Sequence, residues 1–263
     1  MGVKKIKRGA VVIRRTRTVQ HSARSVVGRL ADEDPRKIPV LIIVRDRLTS
    51  LARLVERLER SGQERIVLVD NASTYPPLLE YLAASKHEVV FTQRNDGPSS
   101  PWRSGLVSGI SGRFVVTDPD VYPDAGCPDD YIPALVDALD DLRPRSVLKV
   151  GMSIRVDDLP LNEVAQSMVV WEVPRFWQRT LGVGRRGETL YDAFVDTTFA
   201  LYSPGSPHDA GCAKAARIGP PYQLRCDPWY EDPLELSDEE RYYCLHANQA
   251  SNWAKSVRRV AKF

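Results

Sequence analysis

Two aspartates separated by one proline, Asp118 and Asp120, have the type and spacing needed for metal-assisted chemistry. They directly follow the apolar run 114–117, which predicts a buried strand, so both carboxylates leave that strand at one edge of a sheet. Such an Asp-x-Asp (DXD) pair can face one hard cation, Mg²⁺ or Mn²⁺, and the cation can neutralise a diphosphate that the acids would repel. The alternative interpretation is a solvated turn.

Alternating apolar segments before this pair predict the elements that position it. Continuous or β-branched apolar runs favour strands, and apolar residues at helical spacing favour the helices between them. The predicted strands are 40–44, 66–69, 89–91 and 114–117, and the predicted helices are 48–58, 76–85 and 102–110. This order predicts an α/β fold of the Rossmann-like type, with a mostly parallel central sheet flanked by helices.

Polar residues follow each of the predicted strands. In open α/β sheets, ligands bind at the carboxyl ends of the strands, so these residues are candidates for one shared site. They are Arg45, Asp46, Asp70, Arg94, Asn95, Asp118 and Asp120, with Arg103 in the helix behind the third strand. A Gly-x-Gly-x-x-Gly fingerprint and a Walker A loop are both absent from the sequence, which argues against a dinucleotide-binding or P-loop enzyme.

The second half of the chain is less periodic than the first. It contains predicted strands at 146–156 and 196–202, predicted helices at 131–142 and 237–248, and a loop at 225–230. No linker convincingly divides residues 38–263, so we predict a single domain there, preceded by an extension at 1–37.

Composition narrows the class of protein. The chain has 263 residues, of which 43% are hydrophobic, and no apolar run of the length that spans a bilayer, so we expect a soluble, cytoplasmic protein. Its four cysteines show no Cys-x-x-Cys spacing, which favours reduced thiols over a zinc site or disulfide framework.

The charge of the chain is concentrated at its amino terminus. Residues 1–37 hold 11 Lys/Arg against 3 Asp/Glu, whereas the whole chain carries only +3. A basic arm of this kind can bind nucleic acid or an anionic membrane surface. The alternatives are a solvated extension or a short element docked on the domain, since 11–13 and 26–27 are apolar.

Four segments, in order, resemble the GT-A fold of nucleotide-sugar glycosyltransferases, most closely the family-two type. They are the strand and polar end 39–47, the Val-Asp-Asn-Ala-Ser run 69–73, the loop 94–97 with the helix behind it, and Asp-Pro-Asp at 118–120. The segment after the first strand departs from the family, with Val-Arg-Asp-Arg at 44–47. The resemblance covers about residues 38–125.

The resemblance implies a nucleotide-binding half at 38–125 and an acceptor-side half at 126–263. It implies that Asp118 and Asp120 hold Mn²⁺ or Mg²⁺ and that Asp70 reads the base of a nucleotide-sugar, most simply UDP-linked. Arg45 and Asp46 are then candidates for base or ribose, and Asn95 belongs to the same donor site. Phosphate contacts are assigned to Arg94 and Arg103, for which a solvated surface role is the alternative.

The acceptor-side half offers candidates for a general base and a third metal ligand. An inverting transferase needs a carboxylate near the acceptor hydroxyl, and Asp157, Asp158, Glu172 and Asp196 are available. Asp196 is favoured among the four, although a strand-capping role is the slightly stronger interpretation of that residue. His246 is the candidate metal ligand, although a packing or surface role on its helix is the stronger interpretation. Cys226 stands where a ligating His is expected. Trp171, Trp177 and Trp229 are candidates for stacking on a sugar or base, and core filling explains each of them at least as well.

The sequence thus predicts a metal-dependent hexosyl- or pentosyltransferase, and it leaves the acceptor open among a glycan, a lipid-linked sugar, a protein and modified DNA. The DNA alternative rests on the basic arm. A sugar-nucleotide nucleotidyltransferase would need a Gly-rich loop after the first strand, and 45–48 has none. A non-catalytic nucleotide- or nucleic-acid-binding module is a further alternative.

Overall fold

A computed structural model of the chain describes residues 34–208, 214–247 and 251–261. The predicted basic arm therefore lies outside the described residues except for 34–37, and so does Cys212. The strands are β1 (Val40–Val44), β2 (Ile66–Asp70), β3 (Glu88–Phe91), β4 (Phe114–Thr117), β5 (Val121–Pro123), β6 (Lys149–Ile154), β7 (Thr180–Val183), β8 (Thr189–Tyr191), β9 (Ala200–Tyr202) and β10 (Ala215–Cys226). The helices are α1 (Thr49–Arg60), α2 (Pro76–Ala84), α3 (Ser100–Arg103), α4 (Tyr131–Leu142), α5 (Glu163–Phe176), α6 (Asp238–His246) and α7 (Asn252–Ala261).

All of these strands belong to one sheet, in the order β3-β2-β1-β4-β9-β6-β10-β8-β7, with β5 paired to β10. Strands β3, β2, β1 and β4 are mutually parallel, and β6 and β10 are parallel to each other. Strand β9 runs antiparallel to both β4 and β6. The chain passes outward from β1 to β3 and then returns to the other side of β1, so the sheet has a switch point between β1 and β4.

The central strand β1 is buried on both of its faces. Val40, Ile42 and Val44 belong to a core cluster that includes the inner faces of α1 and α4. Leu41 and Ile43 belong to a second cluster on the opposite face, with residues of β2, β4 and β9. This two-sided burial explains the uninterrupted apolar run, because a parallel strand covered on both faces has no polar side. Each fully buried side chain of this size contributes about 1.5–3 kcal/mol.

Most predicted elements of the first half are observed close to their expected bounds, and α4 has the bounds predicted from sequence. The helix predicted at 102–110 is different. Helix α3 ends at Arg103, Gly105 adopts φ +80°, and a separate 3-10 turn covers 107–109. Gly105 stops the helix because its left-handed conformation is incompatible with helical continuation and is readily adopted by glycine.

The strand predicted at 196–202 is shorter than expected. Asp196 Oδ1 accepts a hydrogen bond from the Thr198 backbone N–H at 3.0 Å, and Phe199 has φ +32°. This local turn competes with strand pairing, as Asp side chains commonly do. Strand β9 therefore begins at Ala200, and the preceding residues form a loop at the sheet edge.

Three helices of the second half, α5, α6 and α7, pack against one another. Helix α5 was not predicted from sequence, and Asn162 begins it by accepting a hydrogen bond from the Ala165 N–H at 2.8 Å. Ser237 caps α6 in the same way, as its sequence predicts, with the Glu240 N–H as donor at 3.2 Å. Residues of α5, α6 and α7 share a small apolar cluster around Trp253.

The predicted fold class, a Rossmann-like α/β sheet flanked by helices, is confirmed. Among the described helices, none combines the length and apolar content required to cross a bilayer. The division of the chain into an extension and a two-part domain stays a prediction.

Candidate functional site

A cavity of about 420 Å³ opens beyond the carboxyl ends of β1 and β4, at the switch point of the sheet. Open α/β sheets bind ligands at this position, and pockets for small molecules typically measure roughly 300–1,000 Å³. The residues that line the cavity come from both sides of the β1–β4 pair and from the carboxyl-terminal helices. Its location and size suit a ligand of nucleotide dimensions.

Amide and guanidinium groups line the side of the cavity next to β2 and β3. The lining residues there are Arg45, Asn71, Asn95, Gly97 and Pro98. The Asn71 amide N–H donates to Asn95 Oδ1 at 2.9 Å and to the Gly97 carbonyl at 3.2 Å. The Arg45 guanidinium donates to the Asn71 carbonyl at 3.0 Å and also to the Ala72 carbonyl. These bonds tie the loops after β1, β2 and β3 into one polar wall.

The Asp118–Asp120 pair lies in the cavity directly after β4. Thr197 donates its hydroxyl hydrogen to Asp118 Oδ2 at 2.8 Å. Burial raises the pKa of Asp118 well above its usual range, and the charges of Asp120 and Asp196 raise it further. Burial likewise raises the pKa of Asp120, against the opposing charge of Arg47. Desolvation is thus the main reason that both carboxyl groups hold their protons more tightly than in water.

Arg47 also lines the cavity and provides a positive charge beside Asp120. It lies 4% exposed, and its guanidinium forms an ion pair with Asp120 and a two-point ion pair with Glu240, at 3.0 and 2.6 Å. Its charged group also lies 3.6 Å from the centre of the Tyr243 ring. Burial by itself lowers the pKa of the Arg47 guanidinium, but Glu240 and Asp120 together raise it well above its ordinary value, so it stays charged.

The loop before β9 brings Asp196 beside Asp118. Because β9 runs antiparallel to β4, its amino end lies at the carboxyl end of β4, where Val116 pairs with Ala200. The buried Lys149 donates its ammonium hydrogen to the Asp196 carbonyl at 3.0 Å. Asp196 itself is exposed and lines the cavity.

A buried ion pair forms another part of the cavity lining. Arg217 of β10 donates to Glu172 Oε1 of α5 at 2.7 Å, and each side chain is 2% exposed. Burial raises the pKa of Glu172 to about 7, with Arg217 opposing the rise and Asp196 adding to it. Trp171 and Phe194, which are 46% and 41% exposed, line the cavity nearby. This side therefore combines a carboxylate that titrates near neutrality with aromatic surface.

Two of the predicted nucleotide ligands, Asp46 and Asp70, are buried and do not line the cavity. Asp46 Oδ1 accepts backbone hydrogen bonds from Thr74 at 2.5 Å and Tyr75 at 2.9 Å, which orders the entry to α2. Asp70 Oδ1 accepts one from Ser73 at 3.2 Å, and burial raises the pKa of Asp70. Both side chains stabilise the loop after β2, and their contact with a base stays a prediction.

Six other predicted residues also lie outside the cavity lining, and one of them is Trp177, whose ring packs beside Tyr191. Arg94 and Arg103 are exposed and pair with Asp96 at 2.8 and 3.2 Å. Asp157 and Asp158 are exposed and pair with Arg155 at 2.9 and 3.4 Å.

His246 is exposed on α6, where its Nδ1 lies 2.8 Å from the Tyr242 carbonyl and its ring stacks on Tyr242. The predicted site residues that come together in the cavity are Arg45, Asn95, Asp118, Asp120, Trp171, Glu172, Asp196, Cys226 and Trp229.

The donor set suits a cation that takes part of its coordination from a ligand. Within residues 34–208, 214–247 and 251–261, no group of three or more His, Cys, Asp or Glu side chains is arranged to hold a metal. Mg²⁺ is usually bound by one or two carboxylates together with substrate phosphates. Asp118 and Asp120 fit that requirement, because they supply two carboxylates to the cavity lining directly after β4.

Sequence reasoning assigned no role to Arg47, Arg217 or Glu240. Arg47 and Glu240 are 193 positions apart, and Glu172 and Arg217 are 45 positions apart, so no local pattern links them. Arg47 carried the one available signal, since it follows β1 at the edge where ligands bind.

Comparisons with known proteins do not show a family for this chain. No family model matches the chain, and no curated protein matches it. Among solved structures, it is similar to 4-diphosphocytidyl-2C-methyl-D-erythritol synthase from Anaerococcus prevotii, at 9% identity and a TM-score of 0.37. That match covers 70% of this chain and 89% of the other. A likeness this distant carries no argument about this chain.

Proposed function

We propose that the chain is a metal-dependent glycosyltransferase that moves a sugar from a nucleotide-sugar, UDP-linked in the simplest case, to an acceptor. The observation that carries the proposal is the position of Asp118 and Asp120 at the switch point, between an amide-lined wall and an acidic, aromatic one. The amide-lined wall suits the nucleotide, and the other suits a sugar and its acceptor. The resemblance of segments 39–47, 69–73, 94–97 and 118–120 to family-two enzymes supports the same assignment.

Each carboxylate of the cavity has a role in this proposal. Asp118 and Asp120 hold the divalent cation, which when bound stabilises the charge that develops on a diphosphate leaving group. Asp196 and Glu172 are the base candidates that line the cavity, whereas Asp157 and Asp158 do not. Glu172, with a pKa of about 7, suits proton acceptance from an acceptor hydroxyl near neutral pH.

Calorimetric titration with UDP, with GDP and CDP as controls, tests the proposal in the presence and absence of Mn²⁺. We expect Mn²⁺-dependent UDP binding that is lost in Asp118→Asn and Asp120→Asn. Asp157→Asn is the matched control, because that acid is exposed and lies outside the cavity lining. Absence of nucleotide binding by the wild type under every condition would favour a non-catalytic module instead.

Transfer to modified DNA bases is the second candidate, and the 11 Lys/Arg of residues 1–37 motivate it. It predicts DNA binding that weakens steeply with salt, because cationic side chains release counterions from the phosphates. Removal of residues 1–37 should abolish that binding while leaving UDP binding intact. Unchanged DNA affinity after removal would refute this candidate.

A further inference from the structure

Arg47 connects the acid pair of the cavity to the carboxyl-terminal helices. Its Nε and Nη2 donate to the two carboxylate oxygens of Glu240, at 3.0 and 2.6 Å, and its Nη1 donates to Asp120 Oδ2. One guanidinium thus bridges a residue of α6 and a residue that follows β4. Planar, two-point pairing fixes the plane of the guanidinium as well as its position.

Glu240 is itself held firmly in place. It is 5% exposed, and its Oε1 also accepts the indole N–H of Trp253 at 2.6 Å. Trp253 belongs to α7 and packs in the small cluster shared by α5, α6 and α7. The orientation of Arg47 therefore depends on the docking of both carboxyl-terminal helices.

A buried guanidinium with two anionic partners behaves differently from a surface pair. Glu240 occupies two of its N–H groups, which leaves Arg47 to contact one oxygen of Asp120. Loss of Glu240 would leave Asp120 as the sole carboxylate paired with Arg47 among the described residues. The Asp120 carboxylate would then pair more closely with Arg47 and would be less available to a ligand in the cavity.

We propose that Arg47 is a positioning residue for Asp120, that Glu240 sets its orientation, and that helices α6 and α7 thereby complete the ligand site. The bridge that Arg47 forms between Asp120 and Glu240 can be tested whatever reaction the protein catalyses. Its role in ligand binding rests on the proposed function, in which Asp120 binds the cation.

A double-mutant cycle on stability tests the bridge without any ligand. Asp120→Asn, Glu240→Gln and the double variant are unfolded with urea in the presence of a chelator. Either single change leaves Arg47 one anionic partner, but the double change leaves it none. If the two changes were independent, their effects on the folding equilibrium constant would multiply. We expect the constant of the double variant to be at least about tenfold lower than that product.

The same three variants are also made in a protein that carries Arg47→Met. This second cycle tests the bridge even if the double variant does not fold in the wild-type background. With the guanidinium removed, only the direct repulsion between the two acids couples Asp120→Asn and Glu240→Gln, so their effects on the folding constant should depart from multiplication much less than in the wild-type background. Multiplicative effects in the wild-type background would overturn the proposal, and so would equal coupling with and without Arg47.

Mn²⁺ titration followed by electron paramagnetic resonance tests the consequence for the site. Glu240→Gln should bind Mn²⁺ about tenfold more weakly than the wild type, a change typical of residues that orient metal ligands. Glu239→Gln is the control, because this half-buried neighbour accepts a hydrogen bond from the Thr49 backbone N–H instead, at 3.0 Å. Equal affinities for the wild type and Glu240→Gln would refute the positioning role. A wild type that binds neither Mn²⁺ nor UDP would refute the proposed function, while the cycle would still decide whether the bridge exists.

Discussion

The stability of this protein should depend on the protonation of Glu172. This carboxylate is 2% exposed and faces Arg217, yet burial outweighs that partner and raises its pKa from 4.5 to about 7. The folded protein therefore binds the proton more tightly than the unfolded chain. Stability from this group is complete below about pH 4.5 and is lost as the pH rises through about 7.

The size of the effect follows from the two pKa values. A tenfold difference in proton affinity corresponds to about 1.4 kcal/mol, so the complete contribution is about 3 kcal/mol. About 2–3 kcal/mol of this should be lost between roughly pH 5 and pH 8. Glu172→Gln mimics the protonated side chain, so the variant should lack this part of the pH dependence.

Urea unfolding in a chelating buffer across that pH range measures the difference. Wild type and Glu172→Gln should have similar free energies of unfolding near pH 5, and the variant should be the more stable protein near pH 8. Glu163→Gln is the matched control, because Glu163 begins the same helix and its side chain is 73% exposed. Parallel curves for the wild type and Glu172→Gln would show that Glu172 does not titrate near neutrality.

Two further changes test the local structure. Gly151→Ala should cost about 1–3 kcal/mol of stability and weaken ligand binding, because the new Cβ would lie 2.6 Å from Val195 in the loop that carries the cavity residues. Gly109→Ala meets nothing within 4 Å and should be nearly neutral in both assays, so equal effects would contradict this account. Asn162→Ala should cost about 0.5–2 kcal/mol in urea unfolding, because the Ala165 N–H at the start of α5 loses its partner. An unchanged unfolding midpoint would mean that this cap contributes nothing.

Local patterns predicted those elements whose own residues specify them. The buried strand at 40–44, the helix at 131–142 and the Ser237 cap depend on periodicity and capping within a short segment. Helix α5 was missed because its apolar face is weakly defined and Pro174 lies inside it. The turn at Asp196 was missed because the side chain of this residue bonds to its own backbone neighbour.

The sequence by itself determined the α/β class and the placement of Asp118 and Asp120 at a strand end, since both follow from the order of apolar and polar residues. Tertiary structure decided which charges share the cavity. It buried Asp46 and Asp70 as loop acceptors and brought Arg47 to Glu240 and Glu172 to Arg217. Pairing across such distances in the chain depends on the sheet order and on helix docking. Desolvation then sets the affinity of each buried group for its proton and its partners, and no local pattern encodes it.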